Sequence, residues 1–360
     1  MTEIIPSYSP YFKLYVRCYT YNHASYIVDA MNGFTMQRTD FPFVCIIVDD
    51  ASSDGEPDVI KQYLSDNFNT EHDSIVQNRE TDDYVLTFAR HKSNHNCFFA
   101  VYLLKYNHYK KKAKRPYFQE WTESVKYVAL CEGDDYWTSP LKLQKQVDYL
   151  ESHPECKMCC HAIKWETNGV MYDGGCQHNQ PCNLSTDEVI RNNGLYIATC
   201  SLVYSGELDL DRPEWRKVAN VGDFPLQILG SLRGDLFFSP EIMGVYRYMS
   251  KGSWTGQHFG SKNKVAIEYS KNKILWMSML DKETNGKYSS AINALLYHYY
   301  LSLYHADEIS FSEYFRATIR TDEKHIRRLS KDFLIHYFKP FYKVWLFLTG
   351  KQRRLTNRNN

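Results

Sequence analysis

The chain has 360 residues, 43% of them hydrophobic and 24% charged, with a formal net charge of +1. These values are typical of a globular protein long enough to bury a core, and they exclude a disulfide-stapled miniprotein, a collagen-like chain and wholesale disorder. Residues 320–360 hold eleven Lys or Arg against three Asp or Glu, so this tail carries +8 and the rest −7, which makes nucleic acid a poor partner for the larger part.

Two strand-loop-helix units open the chain. Residues 14–20 (LYVRCYT) carry apolar side chains at every second position, which predicts a strand, and a helix is expected at about residues 25–36. Residues 43–48 (FVCIIV) form the continuous apolar run of a strand covered on both faces, and a second helix begins near Pro57. This alternation predicts an α/β protein with a doubly wound, mostly parallel sheet, helices on both faces, and ligands beyond the carboxyl ends of the strands.

A third unit repeats the pattern. Residues 125–131 (VKYVALC) predict a buried strand, and the acidic run EGDDYW follows as its exit loop. Ser139 is expected to cap a helix whose first residue is Pro140. Apolar residues recur along one face of that helix at Leu143, Val147 and Leu150.

Acidic side chains therefore follow two of the predicted strands. Asp49 and Asp50 follow the second strand of the chain, and Glu132, Asp134 and Asp135 follow the later one. Carboxylates packed together raise each other's pKa, so we expect a hard divalent cation, Mn²⁺ or Mg²⁺, among them, bridging to a substrate diphosphate. The alternative is that each cluster only ends a strand, because Asp favours turns.

A group of Cys and His residues between 156 and 182 offers a rival metal site, with zinc as the obvious cation. Its CxxC consists of Cys156 and Cys159, but the surrounding run CKMCCHAIKW predicts a strand, in which residues three apart point to opposite faces. We therefore expect free thiols here, and His161 as an ordinary strand residue.

The pattern changes to helices from about residue 262, for example at Ile292, Leu296, Tyr299 and Leu303. We place a boundary near 260, between a domain at 1–260 and a C-terminal helical extension at 261–360. Apolar residues at helical spacing with flanking Lys and Arg in 324–354 predict peripheral contact with an anionic membrane surface. The alternative is a helix packed on the preceding domain, with a frayed basic end.

The Cys spacing, the first residues and the most apolar stretch indicate the expected compartment. The ten Cys show no disulfide spacing, and the first residues lack the basic and long apolar stretches of a secretory signal, so a reducing cytoplasm is expected. The most apolar stretch, 333–349, is interrupted by Lys, His and Pro and is too polar to cross a bilayer. We therefore expect a cytoplasmic protein, at the inner face of the membrane if the tail binds lipid.

Three segments closely resemble the family 2 glycosyltransferases with a GT-A fold. They are residues 16–27 (VRCYTYNHASYI), 48–55 (VDDASSDG) and, most specifically, 127–150 (YVALCEGDDYWTSPLKLQKQVDYL), and the similarity continues through 222–226 (GDFPL) and 245–247 (VYR). The resemblance covers about residues 11–255. It implies a Rossmann-like GT-A sheet and an inverting, metal-dependent transferase of the hexosyltransferase type.

The resemblance also implies a donor site. Thr20 and Tyr21 would line the nucleotide pocket, and Asp50, with Asp49 nearby, would accept a hydrogen bond from the base. Arg247 would pair with a phosphate, although from its pattern alone it equally faces solvent from a strand.

Glu132-Gly133-Asp134 occupies the place of the family's Asp-x-Asp metal motif. Asp134 would ligate the metal and Glu132, one methylene longer than the family's Asp, would address ribose or metal. Asp135 would shape the acceptor side. Residues 251–256 and His258 are expected to form a loop that closes over the diphosphate, with His258 as an extra metal ligand, or else a plain linker.

Asp223 lies where the family places its catalytic base. A carboxylate there would deprotonate the attacking hydroxyl, which implies inversion at the anomeric carbon by direct displacement. From its position alone, shortly before Pro225 and an apolar run, Asp223 equally reads as a helix N-cap.

The sequence thus predicts a transferase that moves a single sugar from a nucleotide-sugar donor, with UDP as the expected nucleotide, to a hydroxyl of a glycan or lipid-linked acceptor in surface polysaccharide synthesis. The QxxRW signature of processive members is absent, which favours single additions. The alternatives are a sugar nucleotidyltransferase and a catalytically degenerate, membrane-associated scaffold of a glycan assembly complex.

Overall fold

A computed structural model describes residues 12–70, 77–111, 117, 125–248 and 264–319. These residues divide between two compact units. The first unit lies within residues 1–217 and 221–258, and the second lies within 218–220 and 259–360.

The first unit is built on a sheet that has twelve strands, counted over the described residues. The strands are β1 Leu14–Thr20, β2 Phe43–Asp49, β3 Gln77–Glu80, β4 Tyr84–Arg90, β5 Cys97–Leu104, β6 Tyr127–Leu130, β7 Tyr136–Trp137, β8 Cys156–Thr167, β9 Val170–Gly174, β10 Cys182–Asn183, β11 Val203–Ser205 and β12 Asp235–Arg247. Their order is β10-β12-β8-β11-β6-β1-β2-β5-β4-β3, with β7 paired to β12 and β9 to β8. The central strands β6, β1, β2 and β5 run parallel, so the predicted α/β class is confirmed.

Helices flank this sheet on both faces. Before residue 234 the helices are α1 Ile27–Thr35, α2 Glu56–Asn67, α3 His108–Lys111, α4 Lys142–Ser152, α5 Thr186–Asn192, α6 Glu207–Leu210, α7 Glu214–Val218 and α8 Asp223–Arg233. The alternation along β1 explains the two layers: Leu14 and Val16 join the core cluster that contains α1, α2 and α4, whereas Tyr15 reaches Asp209 of α6 on the opposite face. Each fully buried aliphatic side chain of this cluster contributes about 1.5–3 kcal/mol.

The predicted apolar face of α4 is buried, but the helix begins later than expected. Ser139 does not cap it: the first helical residue is Lys142, and Ser139 Oγ lies 3.4 Å from the amide of Leu141. Instead, the amide of Leu143 in the first turn, which has no partner within the helix, donates to Gln37 Oε1 at 3.1 Å. The side chain that satisfies this helix end comes from the loop after α1, which no local pattern could indicate.

The argument that separated Cys156 from Cys159 is wrong. The register of β8 against β12 shifts between Cys156 and Met158, which is a β-bulge at Lys157. The extra residue turns Cys156 and Cys159 to the same side, where both join one core cluster. Their thiols donate to the carbonyls of Met158 at 3.2 Å and Gln146 at 3.9 Å. All ten Cys residues are free thiols.

The second unit is helical over its described part. It contains α9 Lys264–Glu283, α10 Ser289–His305 and α11 Phe311–Thr318. Of the α10 positions named from the sequence, Ile292, Leu296 and Leu303 are buried and Tyr299 is half-buried. No helix among residues 264–319, or elsewhere in the described chain, is long and apolar enough to cross a membrane. The proposed membrane-contact segment 324–354 lies outside the described residues.

Candidate functional site

The two acidic loops meet the same strand end. Asp50 N donates to Thr20 O at 3.0 Å, and Gly133 N donates to Tyr19 O at 2.9 Å. Since β2 and β6 flank β1 and neighbouring strands lie about 4.8 Å apart, the two loops are roughly 10 Å apart at one edge of the sheet. Gly133 is required there, because a Cβ at this position would lie 2.1 Å from Thr20 Oγ1.

Acidic side chains from several elements lie near Cys18, close to the end of β1. The thiol of Cys18 has its pKa raised by burial and further by the charges of Glu132, Glu56 and Asp134. Cys18 lies on β1, Glu56 on α2, and the other two acids on the loop after β6. The acidic group therefore includes Glu56, which sequence reasoning missed.

Glu56 ties together the loops that follow β1 and β2. It is 0% exposed, and its carboxylate accepts hydrogen bonds from Thr20 Oγ1, from His23 N at 2.9 Å and from Ser52 Oγ at 2.8 Å. In the sequence it reads only as an acid in the first turn of a helix, a common stabilising feature that does not single it out.

Asp50 is engaged by the backbone of α3. Its carboxylate oxygens accept from His108 N at 2.7 Å and Tyr109 N at 3.2 Å, and its carbonyl accepts from Asn107 Nδ2 at 2.9 Å. A contact with a base would have to share these oxygens. The structure therefore gives Asp50 a role in fastening the chain after β5 to the end of β2.

The carboxylate of Asp49 is buried and only partly satisfied by hydrogen bonds from the described residues. It is 0% exposed; its Oδ2 accepts from Ser52 N at 3.2 Å, while Oδ1 has no hydrogen-bond partner in the part of the chain that the structure describes. Burial raises the pKa of Asp49 to about 6; the bonds from Ser52 act against this, and the charges of Glu56 and Asp50 add to it.

Replacing Asp49 by Asn should stabilise the protein in a pH-dependent way. With a folded pKa of about 6 against 3.8, the folded state keeps a proton that the unfolded state loses, so stability falls as the pH rises from about 4 to 6. An Asn does not ionise, so the variant should gain about 3 kcal/mol at pH 7.5 and almost nothing at pH 4. Urea unfolding at both pH values measures the difference, with the exposed Asp58→Asn as control; equal gains at both would contradict the assignment.

The acidic loop after β6 presents its three carboxylates differently. Glu132 is exposed, and Asp134 is 9% exposed, with its Oδ2 at 3.8 Å from His23 Nε2. Asp135 is 1% exposed and accepts a hydrogen bond from Arg247 N at 2.9 Å; burial and the charge of Asp134 raise its pKa strongly. Asp135 holds β12 to the loop and has almost no surface for the acceptor contact expected of it.

Arg247 does not face solvent. It is 9% exposed, and its guanidinium donates to Asp134 O at 3.0 Å and forms ion pairs with Asp29 at 2.6 Å and Glu166 at 3.2 Å. It also lies over two tyrosine rings, at 4.9 and 4.5 Å from their centroids. Binding a phosphate would require it to exchange these carboxylates, so in this structure Arg247 braces the acidic loop.

Asp223 is not an N-cap. It is the first residue of α8, whose N-cap is Gly222, and no side chain caps this end. Asp223 is half-buried and accepts from Thr199 Oγ1 at 3.4 Å, a long hydrogen bond. The carbonyl of Cys200, the residue after Thr199, accepts a hydrogen bond from Trp137 Nε1 at 2.7 Å. This bond connects the neighbourhood of Asp223 to the strand that follows the acidic loop.

The donor set suits a divalent ion shared with a substrate. Among the described residues, no three or more His, Cys, Asp or Glu side chains form a ready ligand set. A Mg²⁺-like ion at a diphosphate takes only one or two ligands from the protein, the rest being phosphate oxygens and water, so Asp134 and Glu132 fit. Tyr21 is half-buried beside Thr20, whereas His258 and residues 251–256 lie outside the described residues.

No protein-family profile matches the chain. Uncharacterised proteins of Mycobacterium tuberculosis and Mycobacterium bovis are 33% identical to it over 243 residues, which is 65% of this chain and 58% of their own length. The chain thus spans less than two thirds of these curated relatives, and their names state no activity.

Two solved structures are similar to this chain. Residues 1–349 of S. aureus TarS, in complex with UDP-GlcNAc, match with a TM-score of 0.52 and 15% identity over 90% of this chain and 81% of that one. A mannosyltransferase from Pyrobaculum calidifontis, in complex with GDP-Man and Mn²⁺, matches with a TM-score of 0.45 and 13% identity over 96% and 85%. The likeness to TarS shows the fold, a mixed α/β fold with a mostly parallel central sheet flanked by helices.

Proposed function

We propose that the protein is a metal-dependent, inverting glycosyltransferase of the hexosyltransferase type. It moves one sugar from a nucleotide-sugar donor, with UDP as the nucleotide, to a hydroxyl of a glycan or lipid-linked acceptor. The observation that carries the proposal is the gathering of Asp49, Glu56 and Asp134 around the end of β1, at the carboxyl edge of a parallel sheet where such folds bind ligands. The shared fold with a protein crystallised with UDP-GlcNAc supports the donor class.

The donor base is proposed to bind between Thr20, Tyr21 and the end of β2. Asp50 is proposed to accept a hydrogen bond from the base, because it is 5% exposed and a carboxylate oxygen can accept a second bond beside that from an amide, whereas Asp49 is 0% exposed.

The diphosphate is proposed to lie over the acidic loop. A divalent cation held by Asp134, with Glu132 near it or the ribose, would neutralise the charge that develops on the departing nucleoside diphosphate. Arg247 holds Asp134 in place through its carbonyl and reaches the phosphate only if it leaves Asp29.

The acceptor hydroxyl is proposed to lose its proton to Asp223. As the acceptor oxygen bonds to the anomeric carbon, the bond from that carbon to the diphosphate breaks on the opposite face, and the hydroxyl proton moves to the carboxylate. Asp223 suits this role because it is not the N-cap of α8 and, among the described residues, accepts a single long hydrogen bond, from Thr199.

Donor binding should depend on the metal. A nucleotide at about 100 times its Kd adds about 2.7 kcal/mol to the stability of the folded state, so UDP with Mn²⁺ should raise the Tm by several degrees and UDP with EDTA by much less. Asp134→Ala should lose the metal-dependent part, whereas the exposed Asp58→Ala should keep it. An unchanged response in Asp134→Ala would remove the metal assignment.

The products separate the alternatives. A transferase should release UDP slowly from a UDP-sugar by Mn²⁺-dependent hydrolysis, a nucleotidyltransferase should carry out pyrophosphate chemistry, and a scaffold should do neither. The role in surface polysaccharide synthesis, the division into 1–260 and 261–360, and the peripheral position at the cytoplasmic face through 324–354 belong to the same proposal.

A further inference from the structure

His23 lies directly beside the candidate metal ligand Asp134. It follows β1 by three residues, is 7% exposed, and places Nε2 at 3.8 Å from Asp134 Oδ2. Its Nδ1 lies 3.3 Å from Thr20 Oγ1, and its amide donates to Glu56 Oε2 at 2.9 Å. Within the described residues, Nε2 makes no hydrogen bond. A separation of 3.8 Å is longer than a charge-assisted hydrogen bond of about 2.7–2.9 Å, so a direct His–Asp bond does not explain the arrangement.

The neighbouring hydrogen bonds decide which ring nitrogen of His23 carries the proton. Thr20 Oγ1 donates its hydroxyl proton to Glu56 Oε1, while Oε2 of Glu56 accepts from the amide of His23 and from Ser52 Oγ. Thr20 Oγ1 then has only lone pairs to offer to His23, and Nδ1 must donate to it. With a proton on Nδ1, the nitrogen left to bind a metal is Nε2, which lies next to the carboxylate of Asp134.

We propose that Nε2 of His23 is a second protein ligand, beside Asp134, of the divalent cation in the function proposed above, on which this inference rests. A metal-bound His normally donates its other N–H to an acceptor that fixes the ring, and the chain from Nδ1 through Thr20 to Glu56 supplies that support. Thr20 and Glu56 are thus positioning residues for the ligand. One nitrogen and one carboxylate ligand leave positions for diphosphate oxygens and water, and the nitrogen favours a transition-metal ion over Mg²⁺.

Electron paramagnetic resonance of Mn²⁺ tests the ligand directly, without any measurement of activity. The full chain with Mn²⁺ and UDP should show nitrogen hyperfine coupling to the bound ion. His23→Gln should lose this coupling and bind Mn²⁺ with UDP at least ~10-fold more weakly. Glu56→Gln, which keeps the side-chain size, should keep the coupling but bind the ion about 10-fold more weakly.

Two histidine variants serve as controls. The exposed His95→Gln, in the loop between β4 and β5 at the opposite end of the strands, should behave as the unchanged chain does. His258→Gln tests the other histidine considered as a ligand, and the His23 coupling should persist in it. Melting temperatures without ligand show whether each variant is folded.

The outcomes separate this inference from the function on which it rests. Binding of Mn²⁺ with UDP without nitrogen coupling, or a coupling that survives in folded His23→Gln, overturns the His23 ligand and leaves the transferase proposal intact. Failure of the unchanged chain to bind UDP with Mn²⁺ overturns both.

Discussion

Replacing Asp223 by Asn should lower the kcat of sugar transfer about 10²- to 10⁴-fold and leave the Kd of the donor nucleotide unchanged. The reason is chemical: Asn has the same size but cannot take a proton from the acceptor hydroxyl. The structure favours a selective effect, because Asp223 is only half-buried and its bond from Thr199 is long at 3.4 Å. The loss should therefore appear in turnover and not in stability.

The matched control for Asp223→Asn is Asp187→Asn. Asp187 is likewise an acid in the first turn of a helix, α5, where it pairs with Arg191 on the surface. Comparable turnover of Asp223→Asn and the unchanged chain in a UDP-release assay with acceptor would mean that another group is the base.

Replacing Lys142 by Met should raise the free energy of unfolding by about 3 kcal/mol at pH 6. Lys142 is 0% exposed, its Nζ has no hydrogen-bond partner in the described part of the chain, and it lies 4.2 Å from the centre of the Trp137 ring. Burial lowers its pKa from 10.5 to about 7. The shift alone corresponds to roughly 5 kcal/mol, from which the cation–π contact recovers up to about 2.

The pH dependence of this gain has a definite sign. Between pH 7 and 10.5 the unfolded chain holds a proton on Lys142 that the folded chain has lost, so stability rises with pH through this window. The advantage of Met should therefore be largest below pH 7 and shrink towards pH 10. Lys145→Met, on the exposed side of the same helix, should change stability by less than about 1 kcal/mol at either pH. A loss of stability in Lys142→Met at both pH values would contradict the prediction.

The burial of Lys142 also marks a limit of the sequence pattern. Its neighbours Leu143, Val147 and Leu150 give the apolar face of α4, and all three are buried as predicted. Lys142 lies at the start of this helix, where a charged side chain ordinarily reaches water. It is surrounded by Trp137 of β7 and by the thiols of Cys131, Cys159 and Cys200, which come together only in the folded chain.

Long-range contacts likewise changed the reading of the candidate site. A base contact at Asp50 would share its oxygens with the amides of His108 and Tyr109, more than fifty residues away in sequence, and Oδ1 of Asp49 has no hydrogen-bond partner among the described residues. The guanidinium of Arg247 is likewise engaged by long-range contacts, because its ion-pair partners Asp29 and Glu166 come from distant elements.

The sequence by itself determined which segments form strands, loops and helices along the chain. The signals are apolar runs such as 43–48, acidic loops at strand ends, and apolar faces at helical spacing. These are local properties, because side-chain period and turn preference are set by residues within a few positions. The tertiary structure alone decided which carboxylates have a free oxygen, the bulge that brings Cys156 to Cys159, and the place of Glu56 and His23 beside Asp134. Hydrogen bonds between loops distant in sequence and the burial of charge exist only once the chain has folded, so no local pattern encodes them.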